Sequence, residues 1–178
     1  SGIEPYTAVL YDTPEIYSVS AAGLGTADFE LGGLFQALGM NIHVMKQYVE
    51  SDGTQVYVES GMTLRVRADG SISFKQSAAL RPGTLTEAAE AALAAVRGSL
   101  ASACGDAELV VSAIKQLDGG GVTVWFDYSI NGIPVDLGEG RHAARADVTG
   151  DEITRLELLP RRYTLGTSAL EVLPMVQA

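Results

Sequence analysis

The chain has 178 residues, a length that suits one domain or two small repeats. Its residues are 47% hydrophobic and 19% charged, a composition typical of globular proteins that excludes a disordered tail. The formal net charge of −10 disfavours nucleic acids and anionic lipid surfaces as partners, because both repel an acidic protein.

The cysteine count, the apolar runs and the N-terminus exclude several further kinds of feature. Cys104 is the only cysteine, which excludes an internal disulfide framework and a thiolate zinc cluster. No apolar run reaches the roughly 18 residues that a membrane-spanning helix requires, and the N-terminus lacks the pattern of a signal peptide. The chain opens on Ser1-Gly2 without an initiator Met, so we expect it to be a trimmed fragment of a longer protein.

The first predicted helix lies between residues 26 and 39. Its apolar residues recur at helical spacing and are Leu31, Leu34, Phe35 and Leu38. Gly39 is expected to end it. Gly32 and Gly33 each weaken the helix by about 1 kcal/mol relative to Ala, so packing must hold it.

Three dipeptides predict tight β-hairpin turns, because each supplies the positive φ angles that such turns need. They are Asp52-Gly53, Asp69-Gly70 and Asn131-Gly132. The flanking segments alternate apolar and polar residues, which predicts antiparallel strands with one dry and one solvated face. The strand before the first turn is predicted to span residues 42–50, and Gly119-Gly120-Gly121 is interpreted as a further flexible hairpin.

A second helix follows the break at Pro82-Gly83. Thr84 and Glu87 form a T-x-x-E capping box, and Gly105 is expected to end the helix. One apolar stripe is predicted to pack on a sheet and comprises Leu85, Ala89, Ala92, Val96, Leu100 and Ala103. A further helical start is predicted at residues 168–177.

The order of elements indicates a repeat, because the hairpins around residues 48–72 and 128–153 match loosely. The predicted fold is therefore α+β, with two helix-on-antiparallel-sheet units in tandem. Residues 1–80 are expected to hold N-terminal strands and the first unit, and residues 81–166 the second. Residues 167–178 are expected to begin a further helix or tail. One continuous sheet is an alternative that composition does not exclude.

The sequence shows no motif for catalysis, metal binding or cofactor binding, so we expect a protein that is not an enzyme. His43 and His142 lack the spaced partners of metal ligands, and we interpret both as structural or solvent-facing. Cys104 is interpreted as a small buried hydrophobe. The acidic residues between 136 and 152 lack calcium-loop spacing and are typical of solvated turns.

Two features indicate contact with a partner. Trp125 lies on the polar side of a strand whose other side is apolar, where it either contacts a partner or is covered by another part of the chain. Arg161 and Arg162 form the densest positive spot on an acidic protein and either bind an acidic partner or form an internal ion pair.

The runs FDYSINGIPV at residues 126–135 and VTGDEI at 148–153, with Arg162-Tyr163 and the tail at 170–178, resemble the YycH/YycI regulators of Gram-positive bacteria. The helix-plus-sheet units are also similar to PepSY-type modules. The first resemblance implies an extracytoplasmic domain, tethered by an N-terminal membrane helix outside this chain, that modulates an envelope-sensing two-component histidine kinase by contact. It implies no catalytic residue, cofactor or metal, and it leaves oligomer formation open.

Two alternatives to the kinase regulator remain. One is a PepSY-like module that binds a peptide or restrains a protease, with strand addition at a sheet edge as its recognition mode. The other is a hydrolase whose site is assembled from distant residues such as His142 and the carboxylates near it.

Overall fold

The computed structural model describes residues 15–24, 31–79, 81 and 83–171. These residues form two helices and eleven strands. In chain order they are β1 (Glu15–Gly23), α1 (Leu31–Ala37), β2 (Lys46–Val49), β3 (Gln55–Glu59), β4 (Met62–Val66), β5 (Ile72–Gln76), α2 (Leu85–Leu100), β6 (Glu108–Gln116), β7 (Val122–Ile130), β8 (Ile133–Pro134), β9 (Ala144–Thr149), β10 (Glu152–Leu158) and β11 (Arg161–Glu171).

One antiparallel sheet dominates the molecule. Within the described residues it has nine strands, in the order β2-β3-β4-β5-β10-β9-β7-β6, with β8 also paired to β7. Strand β5 joins the strands that precede α2 to those that follow it. It pairs with β10, from Lys75 opposite Arg155 to Ile72 opposite Leu158. The prediction of an α+β fold with two helix-on-sheet units in tandem is therefore wrong, and the structure is mostly a single large β-sheet.

The core lies between this sheet and helix α2. The strand register places one apolar row side by side across five strands: Leu64, Phe74, Leu156, Ala146 and Val124. All five side chains are buried. Burial of each large apolar side chain stabilises the fold by about 1.5–3 kcal/mol, so the helix-covered face supplies much of the driving force for folding.

Helix α2 has the predicted capping box. The Thr84 hydroxyl accepts a hydrogen bond from the Glu87 N–H, and the Glu87 carboxylate accepts one from the Thr84 N–H. The predicted apolar stripe was partly wrong, because Leu85 is exposed while Ala88 and Ser99 are buried. The helix ends at Leu100, before the predicted Gly105.

Helix α1 packs against α2 on the same face of the sheet. The Phe35 ring meets the Tyr57 ring edge-on, with centroids 5.0 Å apart. The predicted range 26–39 is longer than the seven residues observed, and residues 25–30 lie outside the described part. Both helices therefore belong to one layer over one sheet, rather than to separate units.

The predicted hairpin turns are confirmed. Gly53 and Gly70 have φ angles of 84° and 80°, and Asn131 has a φ of 50°. The Gly119–Gly121 run turns the chain between β6 and β7, where the Leu117 N–H donates to the Gly121 carbonyl. Strand β2 is shorter than predicted, because residues 42–44 form a turn that the Asn41 side chain stabilises by accepting from the His43 N–H.

The predicted helical start at residues 168–177 is wrong over the residues that the structure describes. Residues 168–171 continue strand β11 rather than beginning a helix, and residues 172–178 lie outside the described part. Strands β1 and β11 pair in a separate two-stranded sheet. The chain divides into two compact units, one of Ser1–Ser20 with Leu165–Ala178 and one of Ala21–Thr164. Both helices and strands β2 to β10 lie wholly within the second unit.

Candidate functional site: the open face of the sheet

The sheet face opposite the helices is polar across its central strands, and we call it the open face. One row of neighbouring side chains runs across five strands and comprises Arg65, Ser73, Glu157, Arg145 and Trp125. The next row comprises Thr63, Lys75, Arg155, Asp147 and Thr123. The strand alternation that buries the apolar row on the other face places these polar residues together here.

The open face concentrates positive charge on an acidic protein. Five of the chain's 12 lysines and arginines lie on or beside the central strands β4, β5, β9 and β10 of this face: Arg65, Arg67, Lys75, Arg145 and Arg155. Four carboxylates accompany them, those of Glu50, Asp127, Asp147 and Glu157. The rest of the chain has seven basic and 18 acidic side chains, so this central part of the face differs in sign from the remainder of the protein.

A cleft of about 260 Å³ opens beside Trp125. Its polar lining includes Arg67, Ser71, His142, Arg145 and Glu157. The Arg145 guanidinium carbon lies 5.9 Å from the centroid of the Trp125 ring, within the range of a cation–π contact. The cleft therefore combines a half-buried aromatic ring with cations, an arrangement suited to a ligand with apolar and anionic parts.

A second cleft of about 360 Å³ adjoins the first. Arg67 and Glu157 line both clefts, so the two form one groove across the strands. The second cleft is also lined by Thr63, Arg65, Ser73, Lys75 and Arg155. Its walls are polar side chains on strands, which hold their positions better than loop residues would.

Three of the five cations have a carboxylate partner. Arg145 contacts both oxygens of Asp147 at 3.1 Å, Arg155 lies 2.6 Å from Glu157, and Arg65 lies 2.7 Å from Glu50. These pairs are partly exposed, and such pairs contribute only about 0–1 kcal/mol to stability. They can therefore exchange partners at small cost.

The other two cations are available to a ligand. Within the described residues neither Arg67 nor Lys75 has a carboxylate oxygen within 4.0 Å, and Arg67 reaches only the Ser71 hydroxyl, at 3.3 Å. The Nε of Arg155 also has no hydrogen-bond partner in this part of the chain, but it is buried and out of a ligand's reach. The groove thus offers unused N–H donors on Arg67 and Lys75.

His142 lies at the edge of the groove. Its Nδ1 is 2.8 Å from Oδ1 of Asp127, and its ring centroid is 6.2 Å from that of Trp125. In the described region the ring makes no second hydrogen bond, and no serine or cysteine is joined to it as a nucleophile would be. The same region holds no group of three potential metal ligands. His43 is exposed in a turn.

The three residues predicted to contact a partner do not lie together. Trp125 is half-buried on the open face, as its strand pattern predicts. Arg161 belongs to β11, and its backbone N–H is bonded to Tyr128, whose side chain lies on the helix-covered face. Arg162 is exposed next to Arg161.

Sequence analysis missed the cations of the groove as a group. Arg65 and Arg67 do alternate with buried Leu64 and Val66, which was a usable signal for a charged outer face. The signal could not show that Arg155, which is distant in sequence, lies beside Lys75. That proximity depends on the pairing of β5 with β10.

No protein-family model matches the chain, and comparison with curated proteins and with solved structures gives no match either. Among the helices in the described ranges, none is long and apolar enough to cross a membrane.

Proposed function

We propose that this chain is a non-enzymatic binding domain that holds an acidic polypeptide segment in the groove of its open face. The observation that carries this proposal is the groove itself, which gathers five cations and the only tryptophan on an otherwise strongly acidic protein. Charge complementarity of this kind supplies specificity and speeds encounter more than it supplies raw affinity.

Local charge favours a short acidic segment over a nucleic acid. Glu157 lies where the two clefts join, and Asp147 lies in the adjacent row. A continuous phosphate backbone would meet both carboxylates and the acidic surface around the groove, and the repulsion would oppose binding. A peptide can place separate carboxylates on Arg67 and Lys75 and avoid Glu157.

The regulatory role implied by the YycH/YycI resemblance is the specific form of this proposal. In it, the domain lies outside the cytoplasm, is tethered by a membrane helix outside this chain, and modulates a two-component sensor histidine kinase by contact. The open face is the surface where an acidic stretch of the kinase sensor region would bind. In the PepSY-like alternative, the same face binds a peptide or a protease.

The first experiment uses Trp125 as a reporter, because it is the only tryptophan and lines the groove. Poly-glutamate is titrated into the protein while tryptophan fluorescence is recorded, with calorimetry in parallel. We expect a saturable change that weakens as salt is raised. Absence of binding by both methods would overturn the groove as an anionic-peptide site.

Charge-neutralising variants locate the binding. Loss of two groove cations in Arg67→Ser/Lys75→Thr should weaken poly-glutamate binding about tenfold. The matched control is Arg97→Ser/Lys46→Ser, which removes two exposed cations outside the groove and changes net charge equally. Equal weakening by both pairs would show non-specific attraction and contradict the proposal.

A further pair of experiments tests the regulatory form. Fractionation of cells and protease digestion from outside should find the native protein on the membrane and accessible externally. The purified kinase sensor region should then bind the domain, and Arg67→Ser/Lys75→Thr should weaken that complex. A native protein that is soluble and protected from external protease would contradict the proposed regulation of a kinase. The poly-glutamate titration would still decide whether the groove binds anionic peptides.

A further inference from the structure

Strand β6 forms one edge of the large sheet. It pairs with β7, and no other strand in the described parts of the chain pairs with its outer side. Eight of its nine residues are exposed, all except Leu109. Val110, Val111 and Ile114 are 37%, 43% and 42% exposed. A nine-residue edge with exposed β-branched residues is a template for pairing with another chain.

A β-bulge at Ser112 divides this strand. The register with β7 shifts by one residue between Val111 and Ala113, so the alternation of faces reverses across the bulge. Leu109 and Ile114 therefore both lie on the helix-covered face, although their positions in the sequence differ by an odd number. By the same shift, Glu108 and Lys115 both lie on the open face.

This arrangement makes β6 complementary to itself. Two copies can be set antiparallel about a two-fold axis between Val111 and Ser112. Glu108 then faces Lys115 of the second copy, Leu109 faces Ile114, and Val110 faces Ala113, each pair on one common face of the joined sheet. Opposite charges and apolar pairs directly across strands both stabilise a sheet, and the two-fold axis forms every pair twice.

We infer that two copies of this chain associate through β6, continuing the large sheet across the dimer. The strand that pairs with β6 is a second copy of β6 rather than an unrelated strand. A single register brings Glu108 opposite Lys115 and Leu109 opposite Ile114, and it places the two bulges together. Shifting the register by one residue would place Lys115 opposite Leu109, on different faces of the sheet. The inference is independent of ligand binding in the groove.

Sedimentation equilibrium of the native chain over a range of concentrations tests the dimer. Glu108→Lys and Lys115→Glu should each raise the dimer dissociation constant about tenfold, because two attractive pairs become repulsive. The double exchange Glu108→Lys/Lys115→Glu should restore dimerisation. Lys46→Glu is the matched control, an equal charge change on the opposite edge strand, and should have no effect.

A cross-linking experiment fixes the register. Val110→Cys and Ala113→Cys proteins are prepared separately, mixed and oxidised. The native Cys104 should not cross-link because it is buried. We expect the mixture to form covalent dimers of one copy of each variant, and neither variant alone to cross-link to a comparable extent. A protein that stays monomeric at all concentrations, or a double exchange that fails to restore association, would overturn the inference.

Discussion

The hydroxyl oxygen of Tyr128 accepts a hydrogen bond from the backbone N–H of Arg161 at a distance of 3.1 Å. The same hydroxyl donates to the Leu159 carbonyl at 2.8 Å. Tyr128 is fully buried, and burial raises the pKa of its hydroxyl well above the ordinary value of 10.0. One buried side chain therefore holds the chain where β10 leads into β11.

Tyr128→Phe should lower the free energy of unfolding by about 1–3 kcal/mol, because it leaves the Leu159 carbonyl and the Arg161 N–H without this partner. Urea denaturation measures the change. Tyr48→Phe is the matched control, since the Tyr48 ring is 49% exposed on edge strand β2. Equal stability of the two variants would show that the Tyr128 hydrogen bonds contribute nothing.

Two neighbouring glycines of α1 should respond differently to alanine. A Cβ at Gly32 would meet no atom within 4 Å, so Gly32→Ala should stabilise the protein by up to about 1 kcal/mol through helix propensity. A Cβ at Gly33 would lie 3.4 Å from the Gly98 carbonyl of α2, so Gly33→Ala should gain less. Thermal unfolding compares the two, and a larger gain in stability at Gly33 would contradict this close approach of α1 to α2.

The Cys104 thiol should be inert in the folded protein. It is buried and lies 3.0 Å from the Leu100 carbonyl, and burial raises the pKa of the thiol to about 11. At pH 8 we expect Ellman's reagent to label it only as fast as the protein unfolds, whereas denaturant should make labelling immediate. Rapid labelling of the native protein would contradict the buried position.

The capping box should make α2 sensitive to acid. Hydrogen bonds from the Thr84 N–H and hydroxyl hold the pKa of Glu87 below its ordinary value of 4.5. Because the folded-state pKa is the lower one, the stabilisation is present above pH 4.5 and is lost as the pH falls through the folded value.

Glu87→Ala should therefore lower the free energy of unfolding at pH 7. The difference in that free energy between the variant and the unsubstituted chain should shrink in acid. Denaturation at a series of pH values measures this. Glu90→Ala, on the same helix but outside the box, should show a smaller difference at pH 7. The argument fails if the Glu87→Ala difference is the same at every pH.

Local rules predicted the features that depend on neighbouring residues. The start of α2 follows from Thr84 and Glu87, which contact each other across one turn. The hairpin turns follow from dipeptides such as Asp52-Gly53, since only a few residue types adopt positive φ without strain. The position of Trp125 on the polar side of β7 follows from the two-residue period of a strand.

The amino-acid sequence thus determined most hairpins, the capped helix and the inward and outward faces of strands. Only the tertiary structure decided that β5 pairs with β10, which turns two expected units into one sheet and brings Lys75 beside Arg155. The physical reason is that pairing between distant strands depends on the match of whole faces and on the helices packed over them. The alternation of apolar and polar residues within β5 or β10 is the same whichever strand lies beside it, so that alternation does not predict the pairing.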